Sequence, residues 1–215
     1  MPILRPNLRH SPERLESSRR TLLIGAAGVI ALAAVGGRDQ AAAQTTAPPQ
    51  ESTPRPDNLQ PGDAFGEEVT LTEQTIIYLP VSGKWDNAFE TIVNAFKTVN
   101  GYLTKAGIKP SGPPMTIYTA TNDTSFQFQA ALPLTEAPKD KPSGDITVGK
   151  TTAGRAFKFI HRGSYDDMDT TYDAITNFLD EKQLDATGLF VEKYLTDPVT
   201  TAEDKLVVEV YVPVK

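Results

Sequence analysis

The feature that most constrains the fold of this chain is an internal repeat within residues 67–215. Gly83, Trp85 and Asp86 open a segment in the first half, and the same spacing of glycine, aromatic residue and aspartate returns in the second half at Gly163, Tyr165 and Asp166. Two further pairs of positions keep their spacing in both halves: Gly112 and Tyr118 with Gly188 and Tyr194, and Gln129 and Pro133 with Glu209 and Pro213. Such a repeat predicts two copies of one supersecondary unit.

The first copy reads as a strand, a helix and two further strands. Residues 75–79 have the composition of a strand, and residues 115–118 and 126–133 follow as two more. Between them, apolar residues recur at steps of three and four, as on the buried face of a helix: Trp85, Phe89, Ile92, Phe96, Val99 and Leu103. Gly107 is suited to end that helix.

The second copy has the same plan. It consists of a strand at 155–160, a helix beginning near Tyr165 and strands at 188–194 and 206–213. We therefore predict an α+β fold of duplicated βαββ units, with an antiparallel sheet, both helices on one face and a pseudo-twofold central cleft. A cleft where two repeats meet is a natural site for a small ligand.

The first 43 residues have the layout of an export signal peptide. Arg19 and Arg20 precede a 14-residue apolar run at 22–35, which is shorter than the ~20 residues that a transmembrane helix needs. Small residues at 41–43 provide a cleavage site. The arginine pair resembles the twin-arginine export signal. The sequence thus predicts a periplasmic or secreted bacterial protein with no membrane span after cleavage, or one held by the uncleaved segment as an anchor.

A spacer is predicted between the signal and the repeated region. Residues 44–66 are rich in Pro, Thr, Gln and Asp and contain too few apolar residues to bury a face, so we expect a disordered linker. The predicted organisation is therefore signal 1–43, linker 44–66 and one domain at 67–215.

Charge and composition limit the partners of the domain. Beyond residue 43 the chain holds 15 basic and 24 acidic residues, a balance that disfavours nucleic acid. Cysteine is absent, and His161 is the one histidine left after residue 43, so we expect no metal site and no cofactor. We expect His161 to pack or cap the turn between strand and helix.

Four separated segments of the second half resemble a known family. They are residues 157–165, 178–179, 192–198 and 208–213, and the first half matches through residues 112–114, Tyr118 and residues 132–133. The sequence resembles the GyrI-like, or AraC-type, effector-binding domains of multidrug-sensing regulators. The resemblance implies a cleft that takes flat, hydrophobic and often cationic molecules by means of stacked aromatic rings and an acid. The duplicated fold also resembles the SOUL haem-binding domain.

In the family this domain commonly follows a DNA-binding domain, whereas here the segment before it is predicted to be an export signal and a linker. A role in transcription is therefore not carried over. Some members of the family act as separate binding proteins or inhibitors, and some hydrolyse reactive electrophiles.

Two acids and four aromatic residues are the candidate site. Glu192 and Glu209 each stand in an apolar or aromatic strand, so each faces either the cleft or water. Repeat-related positions supply the candidate aromatic residues, which form either a ligand box or part of the core: Trp85, Tyr165, Tyr118 and Tyr194. Helical spacing favours a core role for Phe89, Phe96 and Tyr172.

These observations leave three hypotheses for function. The first is an exported protein that binds an amphipathic, cationic or aromatic small molecule in the cleft. The second is a hydrolase of electrophilic compounds, in which Glu192 or Glu209 acts as a general base. The third is a module that binds an envelope protein. The sequence identifies neither a protein partner nor a catalytic residue.

Overall fold

The structure, a computed structural model, describes residues 56–215. The predicted signal peptide and residues 44–55 of the predicted linker lie outside the described residues. Within residues 56–215 no helix is both long and apolar enough to cross a membrane. The strands and helices, in chain order, are β1 (Phe65–Leu71), β2 (Thr75–Lys84), α1 (Ala88–Ala106), β3 (Met115–Thr121), β4 (Ser125–Pro133), β5 (Thr147–Lys150), β6 (Gly154–Arg162), α2 (Met168–Glu181), β7 (Phe190–Tyr194) and β8 (Val207–Pro213).

All eight strands form one antiparallel sheet in the order β1-β6-β8-β7-β3-β4-β2-β5. Each half of the domain is a βαββ unit, β2-α1-β3-β4 and then β6-α2-β7-β8, and the halves meet where β3 pairs with β7. The predicted α+β fold with a duplicated unit is confirmed. Its main core lies between the sheet and both helices, because Phe96 of α1 and Ile175 of α2 join one apolar cluster with Phe128 and Val210 of the sheet.

A short 3₁₀ turn precedes each helix. Trp85–Asn87 forms the first turn and Tyr165–Asp167 the second, so each α-helix begins three residues later than the apolar pattern alone suggests. The predicted helix stop is confirmed, because Gly107 caps α1 in the left-handed region at φ 66°. There glycine avoids the steric cost that a side chain would meet.

The sheet contains two strands, β1 and β5, that the repeat does not include. β1 precedes the first unit but pairs with β6 of the second, with Leu71 opposite Gly154. β5 precedes the second unit but pairs with β2 of the first, with Lys150 opposite Thr75. The leading strand of each half therefore borders the other half.

Residues 56–66, assigned from composition to the end of the linker, contact the domain. Asp63 accepts two hydrogen bonds of 2.7 Å from the Arg162 guanidinium, and the Asn58 side chain donates to the Arg162 carbonyl oxygen. Leu59 packs against the main core, and the buried Phe65 already belongs to β1. Two isolated apolar residues and one ion pair form no periodic pattern, so the sequence did not predict that residues 56–66 pack on the domain.

Candidate functional site

The candidate site lies at the junction of the two halves, and Glu192 is at its centre. In the β3–β7 pair Glu192 stands directly opposite Thr116, and the spacing that relates Tyr118 to Tyr194 also relates Thr116 to Glu192. The two residues are thus repeat equivalents that face each other across the pseudo-twofold axis. Opposed residues of an antiparallel pair point to the same face of the sheet, and here both residues are fully buried.

Three phenol groups donate hydrogen bonds to the Glu192 carboxyl. Tyr172 of α2 donates to Oε1 at 2.8 Å, while Tyr194 and Tyr118 donate to Oε2 at 2.8 Å and 3.2 Å. The Tyr118 oxygen lies 2.8 Å from the Tyr165 oxygen, so Tyr165 can donate to Tyr118 and complete the chain. The arrangement satisfies a buried carboxylate without a basic side chain.

Burial raises the pKa of Glu192 from its ordinary value of 4.5 to about 7, and the hydrogen bonds from Tyr194, Tyr172 and Tyr118 oppose that rise. Burial, with the nearby Glu192 charge, also raises the pKa of all four tyrosines well above 10. Near neutral pH the carboxyl therefore exchanges between its charged and neutral forms, whereas the phenols keep their protons and remain donors.

Aromatic rings surround this cluster. Phe190 stacks on Tyr118 with ring centres 4.5 Å apart, and Trp85 stacks on Tyr118 at 6.4 Å. Phe89 stacks on Tyr165 at 5.2 Å and, unlike those rings, is partly exposed. The tyrosines that surround the carboxyl are therefore themselves packed among aromatic rings, in a medium of low polarity.

The Thr116 hydroxyl is the one buried side-chain polar atom in residues 56–215 that has no hydrogen-bond partner. The Tyr194 phenol beside it donates its own hydrogen to Glu192, so its oxygen can accept from Thr116 but the phenol cannot donate to it. A buried hydroxyl whose lone pairs accept no hydrogen bond costs free energy, and this one stands opposite Glu192 at the centre of the site.

Four of the six predicted site residues meet in this cluster: Glu192, Tyr118, Tyr165 and Tyr194. Trp85 lies in the next layer against Tyr118, and its indole nitrogen donates to the Asn122 carbonyl oxygen at 2.9 Å. The two repeat-related aromatic pairs thus converge on one acid.

Glu209 lies outside the cluster. In the register of β7 with β8 it stands opposite Lys193 rather than Glu192, so it points to the other face of the sheet. There it forms a 3.4 Å ion pair with Lys193 and accepts a 2.7 Å hydrogen bond from Tyr211. The possibility that Glu209 faces the cleft is therefore corrected: the one-residue difference in register puts the two glutamates on opposite faces.

Tyr172 and Thr116 are site residues that the sequence reasoning missed. The helical spacing of Tyr172 predicted a core position, which is confirmed, but a buried phenol needs a hydrogen-bond partner and its partner is Glu192. The repeat itself contained the signal for Thr116, because applying the spacing of the tyrosines to Glu192 leads to that residue.

His161 holds the turn that carries Tyr165. Its Nε2 donates to the Ser164 carbonyl oxygen at 3.1 Å, and its Nδ1 accepts from the Thr171 hydroxyl at 2.7 Å. Burial lowers the pKa of this imidazole, which favours the neutral form that this pairing requires. The predicted role of His161 in packing the strand-to-helix turn is confirmed.

A family model described as the GyrI-like small molecule binding domain matches residues 67–215. The chain belongs to the GyrI-like family. The GyrI-like domain thus comprises both βαββ units and the whole of the Glu192 cluster. No curated protein matches the chain.

Solved structures share the GyrI-like fold at low sequence identity. The EcmrR C-terminal domain has a TM-score of 0.57 at 16% identity, over 71% of this chain and 98% of that domain. EcmrR in a complex with DNA has a TM-score of 0.61 at 15% identity, over 70% of this chain but 57% of the EcmrR chain. SAV2435 bound to tetraphenylphosphonium has a TM-score of 0.50 at 13% identity, over 70% of this chain and 94% of that one.

Proposed function

We propose that this GyrI-like domain binds an amphipathic, cationic small molecule at Glu192. The observation that carries the proposal is a fully buried carboxyl that accepts three phenol hydrogen bonds and has no basic partner among the described side chains that contact it. The tetraphenylphosphonium bound to SAV2435, a protein of similar fold, is a ligand of the proposed class.

A bound cation would replace the proton that burial favours on Glu192. The attraction between opposite charges is stronger in a medium of low polarity than in water. Aromatic faces such as those of Tyr118 and Trp85 would add a cation–π contribution of ~1–2 kcal/mol. A ligand reaches the carboxyl only if rings move apart, since Glu192 is fully buried; binding would therefore change the surroundings of Trp85.

The proposal is tested by titrating the protein with tetraphenylphosphonium, and with the uncharged triphenylphosphine oxide for comparison, at pH 8, where the carboxyl is mostly charged. Trp85 fluorescence and calorimetry report binding. We expect saturable binding of the cation, and Glu192→Gln should weaken it at least about tenfold because the variant lacks the charge. Glu209→Gln is the matched control, since Glu209 lies on the other face of the sheet, and it should bind the cation as the wild type does.

Two results would contradict the proposal. One is the absence of binding while circular dichroism shows an intact fold. The other is an equal affinity of the wild type and Glu192→Gln for the cation.

Hydrolysis of an electrophilic compound at the same carboxyl is the second candidate function. The observation that favours it is the pKa of about 7 for Glu192, which suits a general base at neutral pH. Mass spectrometry of an aryl epoxide incubated with wild type and Glu192→Gln distinguishes the two functions, because binding alone leaves the compound unchanged.

Export of the protein is part of the proposal. It rests on the arginine pair, the apolar run at 22–35 and the small residues at 41–43. In this proposal the domain folds in the cytoplasm, crosses the membrane as a folded protein and meets its ligand in the periplasm or outside the cell.

A further inference from the structure

We infer that Thr116 is a second ligand-binding residue and that the site prefers a protonated amine with N–H groups to a fully substituted cation. This inference rests on the proposed function, because it names the chemistry of the cation at Glu192. Its basis is the position of an unpartnered hydroxyl beside the buried acid.

The geometry brings the two groups to one place. Thr116 and Glu192 are opposed residues of the β3–β7 pair, and both are fully buried on the face that carries Tyr194. Cβ atoms of opposed residues lie about 5 Å apart. One ammonium group can therefore donate one hydrogen to the carboxylate and another to the hydroxyl.

Among the described residues no group donates a hydrogen bond to the Thr116 hydroxyl. On its other side Thr116 stands opposite Ala130 of β4, which is apolar and fully buried. The neighbouring Tyr194 phenol donates its hydrogen to Glu192, so toward Thr116 its oxygen can only accept. The Thr116 hydroxyl thus remains an acceptor with free lone pairs in a buried setting.

The chemistry of the ligand follows from these acceptors. A quaternary ammonium or phosphonium has no hydrogen on its charged centre, so it leaves the lone pairs of Thr116 as they are in the free protein and gains no hydrogen bond there. A primary ammonium has three N–H donors and can satisfy both Thr116 and Glu192. Thr116 therefore acts as a specificity-determining residue that favours amines with N–H groups.

The test uses a matched pair of ligands, 4-phenylbenzylammonium and its N,N,N-trimethyl derivative, and measures affinity by calorimetry for wild type and Thr116→Val. Valine keeps the shape of threonine and removes the hydroxyl. We expect Thr116→Val to weaken the primary ammonium about tenfold, the value of one hydrogen bond to a charged group, and to leave the affinity for the trimethyl compound unchanged. Thr119→Val is the control, because Thr119 is exposed on the same strand.

The outcomes separate this inference from the proposed function. If both compounds bind and Thr116→Val changes neither affinity, or weakens both equally, the inference is wrong and the proposed function stands. If neither compound nor tetraphenylphosphonium binds the folded wild type, the proposed function itself fails. A loss confined to the primary ammonium in Thr116→Val, and absent in Thr119→Val, supports the inference.

Discussion

At the scale of the residue, the main feature of the domain is the Glu192 carboxyl, which is fully buried in a medium that disfavours its charge. A fully buried carboxylate without a basic partner is costly, and three phenol hydrogen bonds offset only part of that cost. The net effect is a pKa of about 7 for Glu192, so folding itself favours the protonated acid. Stability and the proposed ligand binding are therefore linked through one proton.

That linkage predicts a pH-dependent effect of Glu192→Gln. The folded wild type holds a proton between pH 4.5 and about 7 that the unfolded chain has released, so its free energy of unfolding falls as the pH rises through this window. A rise in the pKa of Glu192 from 4.5 to about 7 corresponds to a change of about 3 kcal/mol in the free energy of unfolding. The glutamine variant does not titrate, so its stability relative to wild type should rise by about that amount across the window and then level off.

Urea unfolding at a series of pH values from 4.5 to 8 measures this difference. Glu209→Gln controls for the loss of one carboxylate elsewhere in the chain. A stability difference between Glu192→Gln and wild type that stays constant with pH would show that the charged acid costs the fold nothing.

The site residues were only partly predictable from the sequence. Repeat symmetry pointed to Tyr118, Tyr165 and Tyr194, because equivalent positions in two related units lie near a common axis. Strand alternation could not distinguish Glu192 from Glu209: it shows which residues of one strand share a face, but the assignment of that face depends on the register with the next strand. The sheet buries apolar side chains on both faces near the junction, Tyr118 on one and Ile117 on the other, so hydrophobicity did not resolve the ambiguity.

At the scale of the element, the chain before β1 is tied to the end of β6. The two hydrogen bonds from Arg162 to Asp63 make this tie, and they lower the pKa of the Asp63 carboxyl. Asp63 is mostly shielded from solvent in this contact, whereas the ion pair of Lys150 with Glu73 is exposed on both sides. Partly buried, paired hydrogen bonds contribute more than exposed ion pairs.

We therefore predict that Asp63→Asn lowers the free energy of unfolding by ~1–2 kcal/mol at pH 7. Glu73→Gln, the exposed counterpart, should change it by less than about 0.5 kcal/mol. Because Arg162 lowers the pKa of Asp63, the wild-type advantage is present at neutral pH and is lost as the pH falls through that lowered pKa. Chemical denaturation at pH 7 and pH 3 measures both effects, and equal losses in the two variants at pH 7 would refute the distinction.

Both helices and six of the eight strands follow from the sequence, and the remaining two strands do not. The helices have a strong apolar period, and the six strands recur in both halves. β1 contains Glu67, Glu68 and Thr70 and has Phe65 as its one buried residue, while β5 has four residues including Gly149. Neither strand has an alternating apolar pattern of its own. Each is a strand because it pairs with a strand of the other half, β1 with β6 and β5 with β2.

At the scale of the whole molecule, the site needs both halves. Thr116 and Tyr118 come from the first unit, and Tyr165, Tyr172 and Glu192 from the second. The two units therefore carry different side chains at the equivalent position on the axis: the first has the Thr116 hydroxyl, and the second has the Glu192 carboxyl. The duplication was predictable from the sequence. That one unit places Thr116 at the axis and the other places Glu192 there depends on the strand register, which the sequence does not show.

The proposed export also belongs to this scale. If residues 1–43 are a twin-arginine signal, the protein isolated from the bacterial periplasm should begin at Gln44. Replacing Arg19 and Arg20 by lysine should keep the protein in the cytoplasm in its precursor form, because the twin-arginine pair is the feature that the export machinery reads. Fractionation and N-terminal sequencing check both results, and unchanged export of the double variant would exclude this route.

The exchange of leading strands also determines when the domain can be completed on the ribosome. β1 is synthesised first, but its partner β6 leaves the ribosome only after the entire first unit, and the edge of β2 that is not paired with β4 waits for β5. Pairing between segments so distant along the chain is slow, and unpaired strand edges invite association with other chains. A nascent first half therefore leaves β1 unpaired and one edge of β2 open until β5 and β6 have been made.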